Sequence, residues 1–354
     1  MKARPSLRRH ILPGLFVSIL FIALFQRQPE GSKEPPLLTY SGQTMGTTFQ
    51  IKVRPNGVPV PETLDRDLAS TLEAVVQGMS TYESASELSR FNALNSTEPT
   101  KLSEALFKVV RSALDIGAAS RGALDITVQP LVDIWGFGPT KVDEKPSKSA
   151  IEQQLSRVGR QYLVLDVQTQ TLKKTKGDVW LDLSAIAKGF AVDEVSRVLT
   201  EHGLADHFVE IGGEVRAVGA KADGVPWRVG IEGPLKKGQG QTSFPLKNLA
   251  VATSGSYRNY RLYGTETFSH TLNPITGYPV EHRGVSASVI AKTCMEADGW
   301  ATAFMVLGPV DGLKLADDLN LAARFVSVTE ASEVVVKESE AFRKLRESAI
   351  VKQP

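Results

Sequence analysis

Short apolar runs typical of β-strands alternate with stretches of helical periodicity over the second half of this chain. The strand-like runs occupy residues 162–165, 207–211, 227–231 and 249–252. Apolar residues at helical spacing cover 187–202 and 297–307 and separate some of these runs. This alternation predicts a mixed α/β or α+β fold.

The first half of the chain contributes further helices. Residues 64–79 and 102–120 carry apolar residues at helical spacing, and Gly122 stands where the second helix is expected to stop. We expect both helices to pack on a sheet. Strand-like alternation covers 45–53, and the folded body is expected to start near Leu38.

The length of the chain allows a sizeable core. With 354 residues, of which 42% are hydrophobic, it can bury one large core or two smaller ones. A short helix is expected over 148–158 and closing strands within 322–336, with a loose tail over 346–354. We therefore predict one folded domain over residues 38–345.

The N-terminal 37 residues have the pattern of a targeting segment followed by a linker. Basic residues from Lys2 to Arg9 precede one apolar run over 11–25, as in an export signal or signal anchor. No A-x-A cleavage site or lipobox cysteine follows, so an uncleaved membrane anchor is favoured, although a spanning helix needs about 20 residues. The body of the protein is then expected outside the cytoplasm, on the periplasmic side of the inner membrane.

Charge and cysteine content exclude two classes of function. The formal net charge of +2 gives no basic face for nucleic acid, so no nucleic-acid partner is expected. Cys294 is the only cysteine, so no intrachain disulfide can form. We interpret its thiol as buried packing rather than as a nucleophile.

A candidate anion site lies where a strand enters a helix, over residues 181–189. The free N–H groups at a helix start bind anions, and small residues let a phosphate approach the main chain. In the alternative, purely structural interpretation, Ser184 is an N-cap and Lys188 a solvated charge. The spacing of the residues does not decide between an anion site and this structural role.

A candidate cation site lies over residues 296–302. Asp298 and Thr302 are four residues apart, on one face of the expected helix, where both oxygens can meet a hard cation. Two oxygens are too few for a complete site but suit Mg²⁺ held jointly with a diphosphate. The alternative is an N-cap-like aspartate and a threonine bonded to its own helix.

His270 is the candidate general base. It lies between a strand end and a turn rich in Asn, Pro, Thr and Gly, and its ordinary pKa is near neutrality. A structural, hydrogen-bonded histidine is the alternative. The histidines without comparable surroundings are His10, His202, His207 and His282.

Three further segments, at 122–127, 209–214 and 252–258, combine small and polar residues. Such segments let a flat or charged ligand approach the main chain, although tight turns explain them equally simply. Glu210 and Glu214 lie in the second segment. For them we favour surface or turn roles over acid–base or metal-binding roles.

Taken together, these segments resemble the ApbE family in order and spacing over most of the chain after the N-terminal segment. The matching segments are 45–48, 79–82, 86–92, 122–127, 135–139, 182–189, 210–214, 251–260, 269–277 and 294–302. The resemblance implies an FAD:protein FMN transferase with a T-fold-like architecture, mixed sheets and flanking helices, and an FAD cleft between two lobes.

The resemblance also implies roles for individual residues. The residues implied to contact FAD, the substrate, are Met45, Tyr82, Ala123, Leu124, Asp125, Asp182, Lys188 and Leu272. The groups implied to hold Mg²⁺ are the carbonyl oxygen of Ala185 and the side chains of Asp298 and Thr302. Ala301 departs from the second aspartate that some members have there, which implies more water on the metal or weaker binding.

The implied reaction moves FMN from FAD to a Thr or Ser hydroxyl of an acceptor flavoprotein in a membrane electron-transfer complex. His270 would take the hydroxyl proton, and AMP would leave. Two other functions stay open: hydrolysis of FAD to FMN and AMP in the same site, and an exported FAD-binding protein without turnover.

Overall fold

The computed structural model describes residues 37–140, 142–221, 224–231, 242–255 and 260–351. The predicted signal or anchor and most of its linker, residues 1–36, lie outside the described residues. So do 256–258 of the segment 252–258 of small and polar residues, and the last three residues of the predicted tail.

Fifteen strands and eight helices make up the described chain. The strands are β1 Leu38–Thr44, β2 Thr47–Arg54, β3 Thr100–Lys101, β4 Leu163–Asp166, β5 Thr171–Lys174, β6 Asp206–Ile211, β7 Glu214–Val218, β8 Trp227–Ile231, β9 Thr242–Leu246, β10 Leu249–Gly255, β11 Tyr260–Tyr263, β12 Glu266–Ser269, β13 Gly284–Ala291, β14 Ala322–Val328 and β15 Val334–Glu338. The helices are α1 Leu64–Met79, α2 Glu87–Ala93, α3 Glu104–Ala119, α4 Gln129–Ile134, α5 Lys148–Leu155, α6 Ala187–Glu201, α7 Cys294–Asp318 and α8 Glu340–Val351. The mixed α/β class predicted from the alternation is therefore confirmed.

An antiparallel sheet of eight strands, ordered β1-β2-β6-β7-β10-β13-β14-β15, forms the centre of the protein. Alternate residues of a strand face opposite sides of a sheet, and β10 shows this directly. Ala250 and Ala252 contribute to the core beneath the helices, whereas Val251 contributes to the core on the other face. Both faces of the sheet are thus buried.

Helices α6 and α7 cover one face of the sheet. Consecutive residues of α7 from Ala297 to Ala301 are all buried, as expected for a helix packed on every side. Helix α1 packs mainly on α6, and α3 packs on α7. Both helices were predicted to pack on a sheet. Their main contacts are instead with α6 and α7, which already occupy that face, and α1 also contacts β1.

The opposite face is covered by the β8–β9 hairpin and α8. Trp227, Phe244 and Phe342 pack there against Val251 and Ile290 of the sheet. The loose tail predicted from position 346 is wrong as far as Val351, because α8 continues to that residue. Burial of Phe342, with Leu345 packed on the same core, holds this helix in place.

A smaller body forms a second wall beside the helical layer. It contains α4, α5 and the β11–β12 hairpin, and its core includes Trp135 and Tyr263. The Trp135 indole N–H donates to the carbonyl oxygen of Gly277 at 2.9 Å, and the Tyr263 hydroxyl donates to that of Trp135 at 2.9 Å. These bonds fix the turn that follows His270.

None of the described helices combines the length and the apolar composition that crossing a bilayer requires.

Candidate active site

A cleft formed by two adjoining cavities lies between the smaller body and the helical layer. The cavities measure about 520 and 960 Å³. Five residues line both cavities: Val132, Asp182, Ser184, Lys188 and His270. Every site residue predicted from the sequence lines one cavity or the other: Met45 and Tyr82 line the larger, and the remainder line the smaller, with Asp182, Lys188 and His270 on both.

Asp182 stands at the floor of the cleft, just before α6. It is buried, and its Oδ1 accepts a hydrogen bond from the N–H of Ser184 at 2.6 Å. Burial raises the pKa of this carboxyl, and the bonds from Ser184 oppose the rise. Helix α6 begins later, at Ala187, and has no side-chain N-cap. The N-cap role considered for Ser184 is therefore wrong.

Lys188, in the first turn of α6, is ion-paired rather than solvated. Its Nζ lies 2.7 Å from Oε1 of Glu214 and 3.8 Å from Oδ1 of Asp298. Burial by itself would lower the pKa of this ammonium, but the two carboxylates outweigh that effect and raise it. Lys188 therefore stays protonated and brings a fixed positive charge to the cleft.

Asp298 projects from α7 into the same cavity and is only 2% exposed. Burial, reinforced by Glu214 and opposed by Lys188, raises the pKa of its carboxyl to about 7. The N–H of Gly189 donates to its Oδ2 at 2.9 Å. In a regular helix that N–H would be donated to the carbonyl of Ala185 instead.

Thr302 follows Asp298 by one turn of α7 and lines the same cavity. Its hydroxyl lies 2.9 Å from the hydroxyl of Ser254 on β10. The N-cap of α7 is Thr293, so the N-cap-like role considered for Asp298 is wrong. The Thr302 hydroxyl likewise contacts another element, β10, and not its own helix.

His270 and Leu272 approach from the opposite wall. His270 directly follows β12, and its half-buried ring lies edge-on to the Phe137 ring with centroids 6.4 Å apart. The side-chain oxygen of Asn273 accepts from the N–H groups of Ile275 and Thr276 and thereby organises the turn. The imidazole thus faces both cavities from a well-braced loop.

Three predicted FAD contacts, Ala123, Leu124 and Asp125, come from the segment after α3. Ala123 and Leu124 are buried apolar wall residues. The Asp125 carboxylate accepts from Thr127 through Oδ1 and from the N–H of Arg160 through Oδ2. Asp125 therefore shapes this wall, and its contact with FAD stays a prediction.

Met45 and Tyr82 lie at the mouth of the larger cavity. Met45 occupies the β1–β2 turn at a positive φ of 48°. Tyr82 is 67% exposed, and its hydroxyl lies 3.4 Å from the carbonyl oxygen of Phe137. A ring held open in this way offers a flat apolar face to an aromatic ligand.

The surface or turn role favoured for Glu214 is wrong, because its side chain is buried beside Lys188 and Asp298. Sequence reasoning also assigned no role to Ser254, the partner of Thr302. One sequence signal could have indicated a buried role for Glu214: it is a charged residue at the start of a largely apolar strand, directly after two glycines. Glu210 lines the cavity and accepts from the N–H of Gly213, consistent with the turn role favoured for it.

The donor set suits a hard divalent cation. Within the described ranges no group of three or more His, Cys, Asp or Glu side chains is arranged to hold a metal. Asp298 and Thr302 nevertheless present oxygen atoms to one cavity, beside the buried Glu214, whose Oε2 has no hydrogen-bond partner in the described part of the chain. Oxygen donors and excess negative charge fit Mg²⁺, which completes its shell with waters and substrate phosphates.

Comparison with known proteins places this arrangement in a family. The model of the ApbE family matches residues 45–325, which span both walls of the cleft. The chain belongs to the ApbE family. The resemblance predicted from the motifs is thus confirmed.

Curated relatives of this ApbE-family chain are named FAD:protein FMN transferases. The relative from Haemophilus influenzae is 37% identical over 342 residues, which cover 94% of this chain and 99% of the relative. The relative from Vibrio cholerae is 41% identical over 280 residues, covering 78% and 83% respectively. These relatives are transferases, the enzyme class predicted for this chain.

Solved structures share the fold. A His-to-Gly mutant of the flavin transferase ApbE from Vibrio cholerae superimposes with a TM-score of 0.81 and 38% identity, covering 87% of this chain and 99% of that one. The apo flavinyl transferase ApbE of Pseudomonas stutzeri gives a TM-score of 0.79 and 38% identity, with 88% and 96% covered. The predicted ApbE architecture is therefore confirmed.

Proposed function

We propose that this protein transfers FMN from FAD to a Thr or Ser hydroxyl of an acceptor flavoprotein, in a reaction that depends on Mg²⁺ and releases AMP. The observation that carries the proposal is that His270, Asp298 and Thr302, from two opposing walls, line one cavity. The combined cleft has the size of a ligand site, and its polar groups converge as in an active site.

Different residues would bind the metal, supply positive charge and bind FAD. Asp298, Thr302 and the carbonyl oxygen of Ala185 would hold Mg²⁺, which when bound neutralises charge on the diphosphate oxygens. Lys188 adds a fixed positive charge on the same side of the cleft. Tyr82, Met45 and the apolar wall of Ala123, Leu124 and Leu272 would bind and orient FAD.

His270 would carry the proton transfer. It accepts the proton of the acceptor hydroxyl while that oxygen forms a bond to the FMN-side phosphorus. The bond between this phosphorus and the bridging oxygen breaks, and AMP leaves with that oxygen. Such chemistry depends on positioning and electrostatics, which explains why the base stands on a loop braced by Trp135 and Asn273.

The acceptor and the location follow from the same proposal. We propose an acceptor flavoprotein of a membrane electron-transfer complex, met on the periplasmic side of the inner membrane, with the N-terminal apolar segment as signal or anchor. The basic residues before that segment support this orientation.

The test is in-gel flavin fluorescence of a candidate acceptor after incubation with the protein, FAD and Mg²⁺. Covalent flavin on the acceptor supports the proposal. Free FMN and AMP with an unmodified acceptor would show a hydrolase, and FAD that persists unchanged would show a binding protein.

His270→Ala isolates the base. We expect this variant to bind FAD with unchanged affinity and to lose flavinylation by about a hundredfold or more, the range for removing a general base. His202→Ala, at the partly exposed C-terminal end of α6 and outside both cavities, is the control and should leave the rate unchanged. Normal flavinylation by His270→Ala refutes the assignment of the base.

A further inference from the structure

Three charged side chains from three different elements meet in the cleft. Lys188 comes from α6, Glu214 from the first position of β7, and Asp298 from α7. The ammonium makes a short, charge-assisted hydrogen bond to Glu214 at 2.7 Å, whereas its distance to Asp298, 3.8 Å, exceeds hydrogen-bonding range. Among these three side chains, the ammonium therefore hydrogen-bonds Glu214 and makes a longer ion pair with Asp298.

The cluster has one positive charge for two carboxylates. Glu214 and Asp298 are 3% and 2% exposed, so water gives them little compensation. Arg216, two residues further along β7, is paired with Asp193 at 2.8 Å and is therefore engaged elsewhere. The cluster carries excess negative charge that a further cation in the cavity would balance.

Asp298 presents its carboxylate to the same cavity as Thr302. Its Oδ2 accepts from the N–H of Gly189, and its Oδ1 faces an ammonium that lies beyond hydrogen-bonding distance. A closer, hydrogen-bonded ion pair with Lys188 would neutralise Asp298 further and compete with a divalent cation for the same oxygen. Glu214 prevents that competition by holding the ammonium 1.1 Å closer to itself than to Asp298, the difference between 2.7 and 3.8 Å.

We infer that Glu214 is a positioning residue, which holds Lys188 away from Asp298 and so keeps the Asp298 carboxylate free to bind the divalent cation. The inference rests on the proposed function and adds a residue to its metal site. A role of Glu214 in stability alone would not make its effect on metal binding depend on Lys188.

The test is a double-mutant cycle on Mn²⁺ binding by the full-length protein with FAD present and no acceptor, read from the electron paramagnetic resonance signal of the free ion. The variants are Glu214→Gln, Lys188→Gln and the double variant. We expect Glu214→Gln to weaken Mn²⁺ binding at least about tenfold, because the released ammonium pairs with Asp298. In the Lys188→Gln background, Glu214→Gln should weaken Mn²⁺ binding by about threefold or less.

Two measurements exclude indirect effects. Thermal unfolding and FAD binding without metal are followed for all four proteins. Glu194→Gln is the matched control, because Glu194 lies on α6 and pairs with Lys108 and Arg197 away from the cleft. It should leave Mn²⁺ binding unchanged. If Glu214→Gln does not fold, Glu214→Asp, which withdraws the carboxylate by one methylene, should weaken Mn²⁺ binding in the same Lys188-dependent way.

The outcomes separate the inference from the function on which it rests. Equal Mn²⁺ affinity in unmodified protein and Glu214→Gln overturns the inference, as does a tenfold loss that persists when Lys188 is Gln. If the unmodified protein still flavinylates an acceptor in those cases, the proposed function stands. Failure of the unmodified protein both to bind Mn²⁺ with FAD and to transfer FMN overturns the proposed function itself.

Discussion

The N–H of Gly189 donates a hydrogen bond to Oδ2 of Asp298 at 2.9 Å and so joins α6 to α7 at the floor of the cleft. The approach is close because residue 189 has no side chain. A Cβ atom there would lie 2.3 Å from the carbonyl oxygen of Cys294 and 2.8 Å from Cβ of Asp298. The geometry of the candidate cation site therefore depends on a glycine in the neighbouring helix.

Gly189→Ala should consequently separate α6 from α7. We expect the free energy of unfolding to fall by about 1–3 kcal/mol, the cost of overpacking a well-filled interior. Mn²⁺ binding should weaken as well, since Asp298 and Thr302, both on α7, would move away from Ala185 just before α6. Urea denaturation and metal titration measure the two effects.

Gly78→Ala is the matched control for that change. Gly78 lies in α1, and a Cβ there would meet no atom within 4 Å. Alanine favours helix by up to about 1 kcal/mol over glycine, so this variant should be as stable as the parent or more stable. A Gly189→Ala protein that is equally stable would contradict the close-approach argument.

Ser254→Ala tests the hydroxyl pair that orients Thr302. Loss of the 2.9 Å contact should leave Thr302 free to rotate and weaken Mn²⁺ binding about tenfold, as outer-shell changes at metal sites do. The free energy of unfolding should fall by only about 1 kcal/mol. The measurements are Mn²⁺ titration in the presence of FAD and urea denaturation.

A second hydroxyl pair, between β10 and β13, supplies the control. Ser288 of β13 lies 2.8 Å from the hydroxyl of Thr253 and takes no part in the proposed metal site. Ser288→Ala should reduce stability to a similar extent and leave the metal affinity unchanged. Equal losses of affinity in both variants would show that Ser254 has no specific effect on Thr302.

His207 predicts a pH dependence of stability that is unrelated to the cleft. The imidazole is fully buried on β6, with Nδ1 2.7 Å from the carbonyl oxygen of Leu204 and Nε2 2.7 Å from the Ser196 hydroxyl. Burial lowers its pKa to about 4 from the ordinary value of 6.5. The folded state therefore holds the neutral form, and the unfolded chain binds a proton first as the pH falls.

Above about pH 6.5 His207 is neutral in both the folded and the unfolded chain, and its titration does not affect stability. As the pH falls from about 6.5 to about 4, the unfolded chain is protonated first, and the free energy of unfolding should decrease by about 3 kcal/mol. His207→Gln should flatten this part of the pH profile. Chemical denaturation at pH 7, 5.5 and 4 provides the comparison. Parallel profiles for His207→Gln and the parent would contradict the prediction.

Much of the local structure was predictable from the sequence, because local patterns report local geometry. The apolar spacing over 64–79 gives the bounds of α1, and the predicted stop near residue 307 coincides with the break in α7 at Gly308, where φ is 78°. The tail was mispredicted because the apolar residues of α8 are few and their partners lie on other elements, β14 and the more distant β9.

For the candidate site, too, the sequence predicted the local features and not the contacts between distant elements. The motifs around Asp182, His270 and Asp298 identify residues that line one cleft, because each motif carries its own strand end, turn or helix start. The sequence by itself thus determined the family, the fold class and most of the residues on the cleft walls. Three contacts were decided only by the tertiary structure. They are the ion pair of Glu214 with Lys188, the hydroxyl contact of Ser254 with Thr302, and the hydrogen bond from the N–H of Gly189 to Asp298. Each of these contacts joins two elements distant in the chain, and their distances depend on strand order and helix packing, which no local pattern encodes.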